Sequence, residues 1–367
     1  MNILIIGEFS GFAKHLKNGF LQLGHDVTIV QTGDGFKRLA NPDDIVYGNR
    51  TWMIGKYPVH GSNRLLALFA NYRLHKEINE RCPNPDLIIV INYVFIRKNF
   101  TSVGVSRRFL VRSIKKGAKL IMSECGGGMA GRYCHREFYD MIGRQTRQLE
   151  DNRYIFLLEN ANVIIPTAYG YYSDIINYAN LHPYDTSKVI NSIPLPITID
   201  KDFNVIPCQN RKIIIFHGII RPKKKGTPYI QAAMDKIQKE YPDKVECICK
   251  GGMPYDEYVK VFDRIDILVD QCNILEVGWG VNATIGAMKG KCVLVSCGDK
   301  NQEHMGISEI PFVPIKTDIN QIYEVLKDLV THPQKIDELK LSGRKFAEKY
   351  CECSVVAKKY LESIGIN

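Results

Sequence analysis

The sequence contains no long hydrophobic run. None of its apolar stretches approaches the roughly 18 residues that a helix needs to cross a bilayer. The first residues, MNILIIGEFSG, lack the cationic start and the long apolar centre of a secretion signal, and they predict a strand followed by a turn. Tandem repeats and low-complexity tracts are also absent. These absences favour a globular, cytoplasmic protein over a membrane-spanning or repeat protein.

The cysteines lack a metal-like spacing. The chain has 11 cysteines, and its nearest pairs, Cys247/Cys249 and Cys351/Cys353, are each separated by a single residue. This spacing matches neither a zinc knuckle nor a redox pair. We therefore interpret the cysteines as buried reduced thiols, and we expect no metal ion and no resident cofactor.

Acidic residues are missing from one segment, residues 97–119. The chain carries a net charge of +10, and residues 1–200 contribute +7 of it, with 24 Lys/Arg against 17 Asp/Glu. The acid-free segment holds eight cations: Arg97, Lys98, Arg107, Arg108, Arg112, Lys115, Lys116 and Lys119. Such a cluster predicts an anionic partner.

Three interpretations of the 97–119 segment remain open. Its part SRRFLVRSIKKGAK, read as a helix, predicts a basic amphipathic surface suited to anionic lipid headgroups. The alternative is an ordinary helix whose apolar side faces the core and whose cations are solvated. A nucleic-acid surface is less favoured, because the cations lack interleaved aromatic residues and no nucleic-acid motif is present.

What is present is an alternation of strand and helix patterns along all 367 residues, a length that predicts about two domains. The helical patterns cover residues 12–23, 64–81, 229–239 and 319–329. The strand-like runs are NILII, DVTIV, DLIIVI, AKLIM and NVIIP, then KIIIF, VECIC, DILVD, CVLVS and PFVPI. These runs lack in/out alternation, which indicates strands covered on both faces. The pattern predicts an α/β protein with two doubly wound, Rossmann-like parallel-sheet domains.

The boundary between the two domains is predicted in residues 191–212. This stretch, NSIPLPITIDKDFNVIPCQNRK, holds three prolines and no helical period. We expect a first domain over residues 1–198 and a second over residues 199–347. Ligands of open parallel sheets bind beyond the carboxyl ends of the strands, so two such sheets would face a cleft that the boundary lets close.

The stretch IIIFHGIIRPKKKGTPYIQAAMDKI, residues 213–237, carries the strongest chemical signal. Gly218 lets the backbone approach a ligand, Arg221 can fork onto phosphate oxygens, and Lys225 precedes Gly226 at the start of a helix. A helix N-terminus adds N–H donors and partial positive charge, so a phosphate or diphosphate is the expected ligand. A solvated cationic loop is the alternative, and Lys223 and Lys224 are predicted to be solvated.

Here the sequence resembles the GT-B glycosyltransferases, in particular the retaining family that includes many bacterial surface-polysaccharide enzymes. Arg221 and Lys225 look like the pair that clamps the donor diphosphate in that family. The resemblance continues through GTPYIQAAMDKI, DRIDILVDQ and GVNATIGAMKGKCVLVS, where Gly280 and Asn282 fall in the implied donor-binding turn. GEFSGFAKHLKNGFLQLGHDVTIV and ENANVIIPTAYGYYSDI resemble the family more loosely.

The sequence departs from the family at one position. The family usually has two glutamates eight positions apart, and the second binds the nucleotide ribose. The corresponding residue here is Ile285 or Gly286, depending on the alignment. Glu276 is the only carboxylate just upstream, and the resemblance implies that it approaches the sugar.

Two loops of the first half are further candidates. In GEFSGF, Gly7 and Gly11 form a turn that by resemblance faces the donor across the cleft, although Glu8 would repel a phosphate. A plain structural turn is the alternative for GEFSGF.

The second loop, SECGGGMAGRYCHREFY, contains Glu124, Gly126 and Gly127 and is interpreted as a mobile cleft loop rather than a passive connector. The family often has a sugar-contacting histidine after this strand, and His135 is the nearest candidate.

The resemblance implies a hexosyltransferase that moves a sugar, with retention, from a nucleotide diphosphate sugar to a glycan or lipid-linked saccharide in cell-surface polysaccharide synthesis. A UDP-sugar is the favoured donor, and no metal takes part. The catalytic candidates are Arg221, Lys225, His135 and Glu276.

The last residues, 348–367, are expected to form a helix that crosses back to the first domain. The alternatives are an inactive nucleotide-sugar-binding module and another GT-B enzyme, such as a sugar-nucleotide epimerase. The protein is expected in the cytoplasm, peripheral at the inner face of the membrane.

Overall fold

The structure is a computed structural model, and it divides into two compact units. The residues it describes are 1–33, 40–47, 52–54, 57–59, 64–126, 128–142, 151–201, 203, 205–208, 210–219, 221–253, 255–272, 275 and 278–366. One unit comprises Met1–Thr167, Tyr171–Ile193 and Val356–Asn367, and the other comprises Ala168–Gly170 and Pro194–Val355. The predicted site residues Gly127 and Glu276 lie outside the described residues.

The first unit is built on a parallel sheet. Its strands are β1 (Asn2–Ile6), β2 (Asp26–Gln31), β3 (Ile45–Val46), β6 (Leu87–Val90), β7 (Lys119–Glu124) and β8 (Val163–Pro166), and β4 (Trp52–Ile54) and β5 (Tyr57–Val59) form a separate antiparallel pair. The helices are α1 (Phe12–Gln22), α2 (Arg64–Arg81), α3 (Arg107–Lys115), α4 (Met129–Cys134), α5 (Arg136–Met141), α6 (Asn152–Asn160) and α7 (Tyr169–Asn180). The strand order is β3-β2-β1-β6-β7-β8.

Branched apolar residues explain the centre of this sheet. Every residue of β6 is buried, and β1 lies parallel to both β2 and β6, with Ile3 opposite Val27 and Leu87. Strands covered on both faces have no polar face to alternate, as the sequence pattern predicts. A side-chain cap marks the N-terminus of α3, one of the flanking helices, where the Ser106 hydroxyl accepts the N–H of Phe109.

The second unit contains a five-stranded parallel sheet in the order β10-β9-β11-β12-β13. The strands are β9 (Ile213–Ile219), β10 (Val245–Gly251), β11 (Ile267–Gln271), β12 (Cys292–Val295) and β13 (Val313–Pro314). The helices are α8 (Pro222–Lys225), α9 (Thr227–Glu240), α10 (Tyr255–Arg264), α11 (Val281–Met288), α12 (Lys300–Met305), α13 (Ile319–Thr331) and α14 (Pro333–Phe346). The next helix, α15 (Cys353–Glu362), belongs to the first unit from Val356 onwards. All ten predicted strand runs form strands, and the predicted α/β class with two parallel sheets is confirmed.

A buried ion cluster closes the amino-terminal edge of the second sheet. Asp266, which precedes β11, accepts hydrogen bonds from Arg211 and from the Lys340 ammonium at 2.8 Å. Lys291 lies nearby and donates to the carbonyls of Asp263 and Ile265. Burial lowers the pKa of Lys291 to about 8. These charges lie at the edge opposite to the carboxyl ends of the strands.

The last residues of the chain are part of the first unit. Val356, Ala357 and Tyr360 of α15 are fully buried, and the Tyr360 hydroxyl lies 2.8 Å from the Ser123 hydroxyl of β7. No helix among the described residues combines the length and the hydropathy that spanning a bilayer requires.

Candidate functional site

The second sheet changes winding direction between β9 and β11. These strands are neighbours, but the chain leaves β9 towards β10 on one side and leaves β11 towards β12 on the other. Loops that diverge in this way leave a crevice at the carboxyl ends of the strands, where open α/β sheets bind ligands. The loop after β9 contains Arg221 and Lys225.

Arg221 has a strained backbone and an accessible side chain. Its φ of 57° places it in the left-handed region, which costs a non-glycine residue about 1 kcal/mol or more. Its carbonyl accepts the N–H groups of Lys224 and Lys225, which begins α8. The exposed guanidinium has no ion-pair or hydrogen-bond partner among the described residues. Backbone strain combined with an unpaired charge at the crevice is typical of a ligand site.

Lys225 belongs to a polar network. Its ammonium lies 2.6 Å from Asp270 Oδ1, and the Asp270 side chain is buried at the end of β11. Asn282 of α11 donates to the same oxygen at 3.1 Å, and the Tyr258 hydroxyl donates to the side-chain carbonyl of Asn282. Asp270 thus fixes the positions of a cation and an amide beside the crevice.

Gly226 lies between α8 and α9, at a position where any side chain would be strained. Its φ is 69°, and a Cβ atom there would collide with the carbonyl oxygen and the Sγ of Cys272. No side chain caps the N-terminus of α9. The helix therefore starts directly beside Lys225 without a capping side chain.

His217 ties β9 to β11 and to α9. It is fully buried, its Nδ1 lies 2.8 Å from the Val269 carbonyl oxygen, and its Nε2 lies 2.9 Å from the Thr227 hydroxyl. Because a carbonyl only accepts, Nδ1 carries the proton and Nε2 accepts from the hydroxyl. Burial lowers the pKa of His217, so this neutral imidazole is a structural anchor beneath the cationic loop.

Two glycines of the site are not required by the fold. A Cβ atom at Gly218 would meet only ordinary contacts, 3.4 Å from the Phe216 ring and 3.5 Å from Tyr258. A Cβ atom at Gly280, which begins α11, would have no atom within 4 Å. Neither residue has a positive φ. Gly218 is buried against these two rings, whereas the space beside Gly280 is open and available to a ligand.

The position of the missing glutamate is apolar in the structure. Gly286 faces the core, where a Cβ atom would lie 2.9 Å from Leu268 and from Val293. Ile285 is half-buried on the same helix. The buried carboxylate of this site is Asp270 instead.

The GEFSGF loop of the first unit follows β1, beside β6, where that sheet also changes direction. Gly7 and Gly11 both have positive φ, and a Cβ atom at Gly7 would collide with the Phe95 ring. The buried Glu8 carboxylate accepts the N–H groups of Gly11 at 2.8 Å and Lys14 at 3.0 Å. The Glu8 carboxylate therefore already occupies the N-terminus of α1. The positive φ angles of the loop are explained by this cap and by the Phe95 ring, without a ligand.

Glu124 is a buried acid at the end of β7. Its Oε1 accepts the N–H of Gly128 at 2.9 Å, and its Oε2 has no hydrogen-bond partner among the described residues. Burial is the main cause that raises the pKa of Glu124 to about 7, and the charge of Asp174 is a smaller contribution to this rise. A Cβ atom at Gly128 would collide with this carboxylate, whereas one at Gly126 would have ample room.

His135 lies between α4 and α5. Its Nε2 is 2.7 Å from Asp174 Oδ1, and this hydrogen bond raises the pKa of the imidazole. A Cβ atom at Gly131 would lie 2.9 Å from the other oxygen of Asp174. The carboxylates of Glu124 and Asp174 thus account for two glycines of the glycine-rich stretch.

Arg221, Lys225, Gly226 and Asn282 belong to the second unit, where Lys225 and Asn282 both contact Asp270. Gly7, Gly11, Glu124, Gly126 and His135 belong to the first unit. The sequence patterns did not single out Asp270, Tyr258 or His217. An acid that ends the apolar run ILVDQ was the available signal for Asp270. Among the described residues, no group of three His, Cys, Asp or Glu side chains is arranged to hold a metal ion.

Comparison with known proteins identifies the fold. No protein-family model and no curated protein matches the sequence. Solved structures do match over nearly the whole chain. Sucrose-phosphate synthase from Thermosynechococcus elongatus superposes with a TM-score of 0.60 at 13% identity, covering 99% of this chain and 98% of that one. HepE of Anabaena in complex with UDP-glucose gives 0.60 at 11% identity, with 99% of each chain covered. The chain has the GT-B fold.

Enzymes of more than one kind share this fold with the chain. The UDP-GlcNAc 2-epimerase from Neisseria meningitidis bound to UDP-GlcNAc superposes with a TM-score of 0.52 at 11% identity, and 99% of each chain is covered. The resemblance to GT-B proteins that the sequence motifs indicated is thereby confirmed for the fold.

Proposed function

We propose that the protein is a glycosyltransferase whose second unit binds a nucleoside diphosphate sugar, most favourably a UDP-sugar. The observation that carries this proposal is the exposed, unpaired guanidinium of Arg221 at the point where the sheet changes direction. Lys225, which pairs with Asp270, follows in the same turn and directly precedes the uncapped N-terminus of α9. The similarity to HepE, whose structure holds UDP-glucose, supports a UDP-sugar donor.

The chemistry follows from the charge that develops on the leaving diphosphate. As the bond between the anomeric carbon and oxygen breaks, the diphosphate gains negative charge. In this proposal, the charge is stabilised by the Arg221 guanidinium, the Lys225 ammonium, the first N–H groups of α9 and the backbone at Gly218. Asp270 touches Lys225 rather than the diphosphate, so it acts as a positioning residue. We propose that these groups meet the charge without a metal ion.

The acceptor side of the reaction is a further part of the proposal. The acceptor is a hydroxyl of a glycan or of a lipid-linked saccharide in cell-surface polysaccharide synthesis, and the configuration of the anomeric carbon is retained. Glu276, outside the described residues, is proposed to approach the sugar. Glu124 and His135 are the candidate polar groups of the first unit; the raised pKa of Glu124 would let it hold or accept a proton near neutral pH.

A sugar-nucleotide epimerase is the second candidate, favoured by the superposition on the Neisseria enzyme. The two activities differ in what they release. A transferase given a suitable acceptor liberates nucleoside diphosphate, whereas an epimerase returns an isomeric nucleotide sugar. An inactive binding module would bind the nucleotide sugar and yield neither product.

The donor site is tested with Arg221→Ala, with Lys223→Ala as the matched control from the same turn. Charge-assisted hydrogen bonds are worth about 1.5 kcal/mol or more, so Arg221→Ala should weaken binding of the cognate nucleoside diphosphate at least tenfold. Lys223→Ala should change it little. Calorimetric titration with UDP, GDP and ADP measures the three dissociation constants. Identical constants for wild type and Arg221→Ala with all three nucleotides would refute this donor site.

We also propose that the protein works at the cytoplasmic face of a membrane, held by the cations of residues 97–119. In α3, Leu110 is buried and Phe109 and Ile114 pack against the core, so the apolar side of this helix faces inward. The cationic side is exposed. The contact made by α3 itself is therefore electrostatic, and it should weaken as salt concentration rises.

A further inference from the structure

Helix α2 exposes large apolar side chains on the face opposite the core. Its core face is formed by Ala67, Ala70, Leu74 and Ile78, all of which are buried. The opposite face carries side chains that are roughly half or more exposed: Leu65, Leu68, Phe69 and Tyr72, at 75%, 49%, 57% and 67% exposure. A helix on the surface of a soluble domain is polar on that face. The remainder of the same face, from Arg73 onwards, is charged or polar.

The first part of the cationic segment 97–119, residues 97–106, forms hydrogen bonds with α2. The Asn71 side chain donates to the Ser102 carbonyl at 3.0 Å and accepts the Gly104 N–H at 3.1 Å. His75 accepts the N–H of Ser106 at 3.1 Å. On this segment Phe100 is 75% exposed.

Apolar and cationic side chains share one groove between α2 and this segment. The groove has a volume of about 610 Å³. Its apolar lining is Leu68 and Tyr72 of α2, and its charged lining is Arg97 and Arg108 together with the paired Lys76 and Glu80 of α2. Arg107, Arg108 and Arg112 have no ion-pair partner among the described residues. The surface therefore has an apolar centre and a rim in which positive charge predominates.

We propose that this surface, the exposed apolar face of α2 together with Phe100, inserts into the acyl boundary of an anionic lipid bilayer. The argument for a bilayer is charge complementarity. Arg97 and Arg108 of the rim belong to a segment with eight cations and no acid, so the rim would bind anionic headgroups. The apolar centre would at the same time be buried among the acyl chains. Long cationic side chains around an apolar centre suit the interface between headgroups and acyl chains. The inference rests on the proposed membrane contact and adds an apolar anchor, formed by α2, to the electrostatic attraction of α3.

Sedimentation with phosphatidylglycerol/phosphatidylcholine vesicles tests the anchor. The variant Leu68→Gln/Phe69→Gln/Tyr72→Gln keeps good helix formers and removes three of the four exposed apolar side chains of α2. It should bind at least about tenfold more weakly than wild type. The control, Leu181→Gln/Leu341→Gln, removes two exposed leucines elsewhere and should bind as wild type. Binding of the triple variant that equals wild type overturns the anchor.

Further outcomes separate the anchor from the electrostatic contact. Arg107→Gln/Arg108→Gln/Arg112→Gln should also weaken binding, and the residual wild-type binding in high salt should disappear in the apolar variant. If only the arginine variant loses binding, the membrane contact stands and the anchor is overturned. If wild type binds no vesicles, both fail, while the nucleotide titrations still decide the donor site. A wild-type dimer in light scattering that the apolar variant abolishes would assign this face to a second copy and overturn the proposal.

Insertion itself has a direct readout. Tryptophan placed at the anchor, in Phe69→Trp, should be quenched by lipids brominated in their acyl chains. Tryptophan at an exposed position of α14, in Leu341→Trp, should not be quenched above the wild-type signal. Equal quenching of the two variants overturns insertion.

Discussion

At the scale of single residues, a side chain would have different consequences for the fold at Gly218 and at Gly226. Gly226 has a positive φ and lies against Cys272, so alanine there forces the backbone to move. We expect Gly226→Ala to lower the free energy of unfolding by at least about 2 kcal/mol, from backbone strain and steric overlap together. Gly218→Ala should leave stability within about 0.5 kcal/mol of wild type, because its Cβ meets only ordinary contacts.

The same pair of variants distinguishes packing from ligand binding. In the proposed donor site the backbone at Gly218 lies against the diphosphate, so Gly218→Ala should weaken nucleoside diphosphate binding although the protein remains folded. Urea unfolding and calorimetric titration measure the two effects separately. A Gly218→Ala protein that binds nucleotides like wild type would show that this glycine does not face the ligand.

Glu124 predicts a pH dependence of stability. Its pKa rises from 4.5 to about 7 in the folded protein. The folded state therefore binds the proton more tightly than the unfolded state, and stability is lost as pH rises from below 4.5 to above 7. The shift corresponds to roughly 3 kcal/mol at most. In Glu124→Gln this loss should be absent.

The measurement is the difference between the two unfolding free energies across that pH range. Wild type should lose stability relative to Glu124→Gln steadily from pH 5 to pH 8, since all other titrating groups are common to both proteins. Parallel pH profiles would mean that Glu124 is not held in a buried environment.

At the scale of secondary-structure elements, the start of α1 depends on an unusual cap. The Glu8 carboxylate, three residues before Gly11, accepts two N–H groups at the N-terminus of the helix. Glu8→Ala should lower the free energy of unfolding by about 1–2 kcal/mol, the usual value of a lost cap. Glu8→Gln keeps an acceptor and should recover part of the loss. Equal losses in denaturant titrations of the two variants would contradict a hydrogen-bonded cap.

Most elements could be predicted from the sequence because their patterns are long and strong. The buried parallel strands are runs of Ile, Leu and Val, and the pattern over residues 64–81 coincides with α2. The two-residue strand β3 and the β4–β5 pair have too few residues to carry a pattern. Prediction also failed to say which way a helix faces: the apolar residues of α3 turn inward, whereas half of the outer face of α2 is apolar.

Only those residues of the candidate site that lie close together in the sequence could be predicted. Arg221, Lys225 and Gly226 fall within one turn, so their juxtaposition needed no knowledge of the fold. Asp270 lies 45 positions after Lys225, and only the pairing of β9 with β11 brings the two together. The capping role of Glu8 could not be predicted for a related reason: the sequence indicates an acid that would repel a phosphate, and only the structure shows that its carboxylate accepts two N–H groups of α1.

At the scale of the whole molecule, the chain leaves the first unit near residue 193 and returns to it at residue 356. The returning residues are part of the core of that unit, since Tyr360 is fully buried against β7. A first unit produced without them would expose this apolar surface to water and would lack the hydrogen bond between Ser123 and Tyr360. The first unit is thus complete only when the second has been synthesised.

Tyr360 makes this dependence measurable. Tyr360→Ala should destabilise the first unit by about 3–5 kcal/mol, as expected for a large buried aromatic residue. Tyr360→Phe, which loses only the hydroxyl, should cost about 1 kcal/mol. Hydrogen exchange assigns the effect: amide protection should fall in β7 and its neighbours β6 and β8, while β9 and β11 keep theirs. The same loss of protection in both sheets would contradict the assignment of the C-terminal residues to the first unit, because only one core loses its aromatic residue.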